Sequence, residues 1–152
     1  MARVYLGLGS NLGERNKHIT TAVACLAERA GIILALSSLH ESKAWGFESE
    51  HEFLNAALAL ETSSEPFELL RLTQQIEWDM GRRGKSDGSY HDRIIDIDIL
   101  LYDEMILNTP QLCLPHPFMH ERSFVMLPLA EIAPSLIHPV LKKTIRQLSL
   151  SL

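Results

Sequence analysis

Two periodicities run through this chain. Residues 4–9 form a short apolar run ahead of a turn-rich segment, residues 11–16, and predict a buried strand. Ile19, Val23, Leu26, Ala27 and Ala30 then recur at helical spacing over residues 17–30, and Gly31 stands where that helix would end. Residues 32–42 read as a second strand and residues 53–61 as a third, separated by a loop that carries Trp45 and Gly46. Ser64 is placed to cap a helix with Glu65 and Pro66 in its first turn. The stripe of that helix, Phe67, Leu70, Thr73, Gln74, Glu77 and Met80, is unusually polar, and Phe67 and Trp78 are expected to pack. A polar loop, GRRGKSDGSYH at residues 81–91, leads into a fourth strand over residues 92–103.

The order β-α-β-β-α-β is that of a split βαβ unit. It predicts an α+β, ferredoxin-like sandwich, one antiparallel sheet with two helices packed on one face. The residues after the fourth strand form a C-terminal extension: LPHPFMHERSF, a short apolar helix over residues 124–132, a break at Pro134 and a final turn over residues 144–148. No repeat, low-complexity tract or linker divides the 152 residues, so a single domain spanning 1–152 is expected.

The fourth strand, DRIIDIDILLYD, carries the most specific pattern. Ile95, Ile97, Ile99 and Leu101 alternate with Asp96, Asp98 and Leu100, which predicts the isoleucines on one face and both aspartates on the other. Carboxylates two apart on a strand lie roughly 7 Å apart at Cα. Two like charges there are costly unless a cation lies between them. A divalent metal pair meets that need, and Mg²⁺ prefers one or two carboxylates plus substrate phosphates. Arg93 adds a planar fork suited to phosphate oxygens. Spacing alone leaves open two solvated aspartates on an exposed strand face.

Charge narrows the classes further. The formal net charge of −5 argues against broad, nonspecific binding of nucleic acid or an anionic membrane. Cys25 and Cys113 form no CxxC and are read as free thiols, which fits a reducing cytoplasm. Residues 1–10 hold no long apolar run, so neither a signal peptide nor a membrane span is expected. Several partial motifs fail. A dinucleotide fingerprint begun at Gly7 and Gly9 would need glycine at Leu12, and a P-loop ending at Gly84-Lys85-Ser86 would need it at Asp79. His116 and His120 are four apart, but HPFMH is not HExxH, and Pro117 disfavours a helix there. A basic set does survive: Arg82, Arg83, Lys85 and Arg93 precede the aspartates and Arg122 follows them, the mixture of carboxylates and arginines that a metal-bound triphosphate needs. Gly84 and Gly88 suit the preceding loop to act as a lid.

Four segments then occur together: YLGLGSNLGER (5–15), FLNAALALET (53–62), DRIIDIDILLYD (92–103) and LPHPFMHERSFVMLPLAEIAP (114–134). In combination and order they resemble the 6-hydroxymethyl-7,8-dihydropterin pyrophosphokinases over nearly the whole chain. The resemblance implies transfer of an intact diphosphate from ATP to the pterin hydroxymethyl group, releasing AMP, in folate biosynthesis. It implies two Mg²⁺ ions on Asp96 and Asp98, with Arg82 and Arg93 stabilising charge on the transferring group. It implies a pterin pocket of Ser42, Trp45, Phe53, Asn55, Tyr90 and Phe124, the two phenylalanines sandwiching the ring. ATP would lie beside Gln74, Glu77, Arg82, Lys85, Arg93, Ile99, His116 and Arg122. A cytoplasmic monomer working on small molecules, without nucleic acid or membrane partners, is the corresponding expectation.

The chain departs from the family pattern at Lys43 and Trp45, where a proline and a small aliphatic residue are more usual, at Gln111 and Gly84, where some members carry arginine, and in a loop over residues 81–91 that is one residue longer than in shorter relatives. Two other classes fit parts of the pattern. A palm-type nucleotidyl transferase also sets two carboxylates on such a sheet, but would release pyrophosphate. An RNA-binding ferredoxin-like module would present exposed aromatics and a basic sheet, and the acidic DxD pair argues against it.

Overall fold

β1 (Ala2–Ser10) is one of two interior strands of the sheet in a computed structural model that describes residues 1–44, 49–81 and 92–152. α1 (Arg15–Arg29) follows it, then β2 (Ile32–Leu36), β3 (His40–Ser42), β4 (Phe53–Thr62), α2 (Pro66–Asp79) and β5 (Asp96–Tyr102). The sheet order is β2-β4-β1-β5, with β3 also paired to β4 and every described pairing antiparallel. This is the ferredoxin-like arrangement. A small ribbon of β6 (Leu107–Asn108) and β7 (Cys113–Leu114) comes next. A 3₁₀ turn (Met119–Glu121), α3 (Ser123–Ile132) and α4 (Ile145–Leu150) complete the extension.

The sheet carries a separate core on each face. Val4, Leu6 and Leu8 of β1, Leu58 and Leu60 of β4 and Ile97 and Ile99 of β5 meet Ile19, Ala22 and Leu26 of α1 and Leu69 and Ile76 of α2. On the other face Tyr5, Ala57, Ala59, Leu100 and Leu101 meet Val125, Met126 and Leu129 of α3 and Ile145 and Leu148 of α4. The extension therefore closes part of the second face. Its last helix is set by a reciprocal capping box, Thr144 Oγ accepting the Gln147 N–H while the Gln147 side chain accepts that of Thr144. The 144–148 turn predicted from sequence is thus a two-turn helix.

Five other expectations change. Residues 32–42 form two short strands, because Ser38 turns away from β4: its N–H and hydroxyl each donate to the Glu131 carboxylate of α3 at 2.6 Å. Ser64 does not cap α2. Glu65 holds the N-cap position without a side-chain bond, and the Ser64 carbonyl accepts the Tyr102 hydroxyl at 2.6 Å. The α2 stripe is rotated, so that Leu69, Thr73, Ile76 and Glu77 are buried while Phe67 and Gln74 are exposed, and Trp78, expected to pack, is 52% exposed. In α1, similarly, Ala22 is buried and Ala27 exposed. Finally, β5 starts at Asp96, and a bulge interrupts it: Leu6 pairs Ile99 but Tyr5 pairs Leu101. The extra residue throws Leu101 onto the face of Leu100 and returns Tyr102 to the side of Ile97 and Ile99. Alternation thus holds from Ile95 through Ile99 and fails beyond.

Gly31 permits the α1–β2 turn by absence of a side chain. A Cβ there would lie 2.1 Å from the Glu61 carbonyl oxygen.

Candidate active site

α3 and α4 cover the second face of the sheet only over its Tyr5–Leu101 half. Toward the end of β1 the face stays open, because Gly7 and Gly9 present no side chain where the strand passes between β4 and β5. A cleft of about 620 Å³, partly open to solvent, results. Phe53 and Asn55 of β4 form one wall, with Ser42 and Lys43 behind them; Asp96 and Asp98 of β5, with Arg93, form the other. Arg122, Phe124 and Val125, at the start of α3, close the side. Gly9 is opposite both Asn55 and Asp96 in the ladders, and a Cβ on it would meet Asn55 Oδ1 at 3.4 Å. The two halves of the site therefore face each other across a glycine.

Asn55 is buried in an otherwise apolar strand, and its partners explain it. Its Nδ2 donates to the His40 carbonyl at 3.1 Å and to Ser42 Oγ at 2.7 Å. Both amide protons are thereby committed, leaving Oδ1 as the acceptor on the cleft side. β3 is the support for this geometry, and α3 holds β3 in turn, since His40 Nε2 lies 3.0 Å from Glu131 Oε1. The two Ser38 hydrogen bonds, with His40, hold the Glu131 carboxyl down at about 2.

The acidic wall is charged against its surroundings. Burial, then the charges of Asp96 and Glu77, push the Asp98 carboxyl well above the usual carboxylate range, with Arg122 and Arg93 opposing them. Arg93 Nη1 meets Asp96 Oδ1 at 3.0 Å. Glu77 reaches from α2 to accept the Ile97 N–H at 2.8 Å, between the two aspartates on the outer edge of β5. Arg122 is 6% exposed, and its guanidinium carbon lies 5.4 Å from the Phe118 ring centre and 5.7 Å from that of Phe124. Burial, with Arg122 nearby, lowers His116 to about 4, against the pull of Asp96, so its imidazole is neutral near pH 7.

These carboxylates fit a magnesium ion better than a self-contained cage. Among the described residues no three His, Cys, Asp or Glu side chains converge on a metal position. Two neighbouring aspartates whose charge Arg93 and Arg122 offset only in part, open to a cleft into which a substrate could bring phosphate oxygens, match the preference of Mg²⁺.

Of the residues singled out from sequence, Ser42, Phe53, Asn55, Phe124, Arg93, Asp96, Asp98 and Arg122 line this one cleft. Gln74, Glu77, Ile99 and His116 do not line it. Gln74 is exposed on α2, and the Ile99 side chain is in the helix-side core, which leaves only its backbone for a ligand. Trp45, Arg82, Lys85 and Tyr90 lie outside the described residues, as does the proposed lid. Sequence reasoning missed Gly7, Leu8, Gly9, Ala56 and Val125 as lining residues; the pairing of two glycines with the DxD strand across one ladder was the available signal.

Fold and site together define a ferredoxin-like domain with a paired-aspartate, arginine-flanked cleft on its open sheet face, the equipment of a phosphoryl-group transferase. The sequence profile of the 7,8-dihydro-6-hydroxymethylpterin-pyrophosphokinase (HPPK) family matches residues 5–134, and the chain belongs to that family. It is 50% identical over 141 residues to the 2-amino-4-hydroxy-6-hydroxymethyldihydropteridine pyrophosphokinase of Porphyromonas gingivalis, covering 91% of this chain and 95% of that one. The enzyme of the same name from Aquifex aeolicus is 44% identical over 147 residues, covering 97% and 90%. Among solved structures, wild-type HPPK-DHPS of Plasmodium falciparum with pteroate superposes with a TM-score of 0.80 at 17% identity. That match covers 99% of this chain but 44% of the other, and bears on fold alone.

Proposed function

We propose that this chain transfers the terminal diphosphate of ATP to the hydroxymethyl oxygen of 6-hydroxymethyl-7,8-dihydropterin, with Asp96 and Asp98 as the magnesium-holding pair. The pterin oxygen bonds to the β-phosphorus, the bond from that phosphorus to the α,β-bridging oxygen breaks, and AMP leaves. The observation that carries the assignment is the juxtaposition across Gly9 of an apolar wall with one amide acceptor and an acidic wall flanked by arginines. The flat ring would lie between Phe53 and Phe124, with Asn55 Oδ1 accepting from a ring N–H. Magnesium, when bound, neutralises phosphate charge and orients the transferring group. Arg93 and Arg122 supply cationic forks for the same oxygens. Main chain of the acidic wall is itself held by Glu77. Arg82, Lys85 and Tyr90 belong to this reading on the family pattern. Among the described residues no helix is long and apolar enough to cross a membrane.

The test is incubation with ATP, Mg²⁺ and the pterin, followed by nucleotide separation. AMP formed only when the pterin is present is the expected result. ADP, or AMP formed without pterin, would overturn the assignment.

A further inference from the structure

The ladder between β1 and β5 ends at Gly9 and Asp96, yet Arg93, three residues beyond it, is fixed in backbone position. Asn11 fixes it. The Asn11 N–H donates to the Arg93 carbonyl at 3.1 Å, and Asn11 Oδ1 accepts the Arg93 N–H at 2.7 Å. One residue takes both backbone polar groups of Arg93, its side-chain amide standing in for the peptide carbonyl of a paired strand. Asn11 Nδ2 donates to Asp92 Oδ1 at 2.7 Å and to the His51 carbonyl at 3.2 Å. A flipped amide would set NH₂ against the Arg93 N–H and oxygen against two acceptors, so the partners fix its orientation. Asp92 also accepts the Ser49 hydroxyl at 2.6 Å, while Ser49 Oγ accepts the His51 N–H at 3.0 Å. Asn11 is 2% exposed, and neither Asn11 nor Asp92 lines the cleft.

We propose that Asn11 and Asp92 are positioning residues for diphosphate transfer: they lock the Arg93 backbone so that its guanidinium stays in register with Asp96, and they tie that register to the 49–51 segment behind the pterin wall. The inference rests on the reading of Arg93 as a phosphate clamp. A guanidinium swings about its own Cα, so a backbone shift is passed to the contact, and misplacement by about 1 Å costs about 100-fold in rate.

Asn11→Asp keeps the acceptor for the Arg93 N–H but sets a carboxylate against Asp92. It is expected to lower kcat about 10- to 100-fold while leaving the KM for ATP within about threefold. In the exchanged pair N11D/D92N an amide nitrogen takes the place of the Asp92 oxygen that both Asn11 and Ser49 met, so it donates to the new carboxylate at position 11 and Ser49 Oγ turns from donor to acceptor; the His51 carbonyl still faces that carboxylate, so recovery is expected to be partial, about threefold. In an Arg93→Ala background, Asn11→Asp should change kcat by less than about twofold, because its effect passes through Arg93. Asp92 is exposed, so Asp92→Ala provides a second variant with little risk to the fold, expected to lower kcat about 10-fold. Asn11→Asp with normal kcat, a full loss in the Arg93→Ala background, or no recovery in the folded exchanged pair would each overturn the proposal. Arg93→Ala with normal kcat would instead remove its premise, the clamp reading, and the proposal with it.

Discussion

Neutralising Asp98 is expected to make this protein more stable and inactive at once. The Asp98 carboxylate stands two residues from Asp96 on β5, roughly 7 Å away along the strand. At an effective dielectric of about 20, two unit charges at that separation repel by roughly 2 kcal/mol. Glu77 adds to the repulsion, and Arg122 and Arg93 offset part of it. Asp98→Asn keeps the shape and removes the charge, so without metal the net relief is about 1–2 kcal/mol, a rise in Tm of about 2–8 °C for a chain of this length. The same substitution removes half of the pair proposed to hold magnesium, and AMP formation should fall by about 100-fold or more. Calorimetry in chelator-treated buffer measures the first effect and nucleotide separation the second. A lower melting point than wild type would make Asp98 a structural group, and preserved turnover would refute its place in the reaction.

Other expectations follow from contacts described above. Asn55→Ala removes two hydrogen bonds to β3 and the cleft acceptor, so it should cost about 2 kcal/mol of stability and weaken pterin binding while leaving ATP binding nearly unchanged; equal loss of both ligands in calorimetric titrations would reduce Asn55 to scaffolding. Glu131 has a lower pKa folded than its ordinary 4.5, so its contribution is complete above about pH 4.5 and is lost as pH falls through about 2. The difference in Tm between wild type and Glu131→Gln should therefore shrink from pH 5 to pH 2, and a pH-independent difference would contradict this. Gly31→Ala places a methyl group 2.1 Å from a backbone oxygen that has no rotamer by which to yield, and should cost about 3 kcal/mol in denaturant unfolding; a loss below about 0.5 kcal/mol would mean that the α1–β2 turn can open freely.

The sheet was legible in the sequence wherever one neighbour on each face decided a residue's placement. Residues 4–9 were read as a buried strand from their apolar run, and Ile95, Ile97 and Ile99 were placed on one face because that run keeps a single phase. Leu101 was misread because a bulge depends on its partner strand, and nothing local in ILLY marks where the phase slips. The break within residues 32–42 depends on Glu131, some ninety positions away, and is invisible to any local pattern. Phe67 and Trp78 failed for the opposite reason: large apolar side chains suggest a core, but the rotation of α2 is set by Leu69 and Ile76, and the aromatics are left outside. The aspartate pair and Asn55 were legible because charge and amide groups in apolar strands require partners. Asn11 was not, since a loop asparagine is ordinary until its hydrogen bonds are seen.

Strand β1 amounts to two interleaved sequences under unlike demands. Its even positions, Val4, Leu6 and Leu8, answer to packing against α1 and α2; its odd positions 7 and 9 answer to what must pass between β4 and β5 in the cleft. A larger side chain at an even position disturbs a core that any ferredoxin-like protein could share, whereas a first methyl at position 9 would rest in ordinary contact with Asn55 and Phe53 and take up space in the cleft without touching that core. In a saturation library of β1, cellular abundance should therefore track one parity and folate-dependent growth the other, so that the boundary between scaffold and chemistry runs along a strand rather than between regions of the chain.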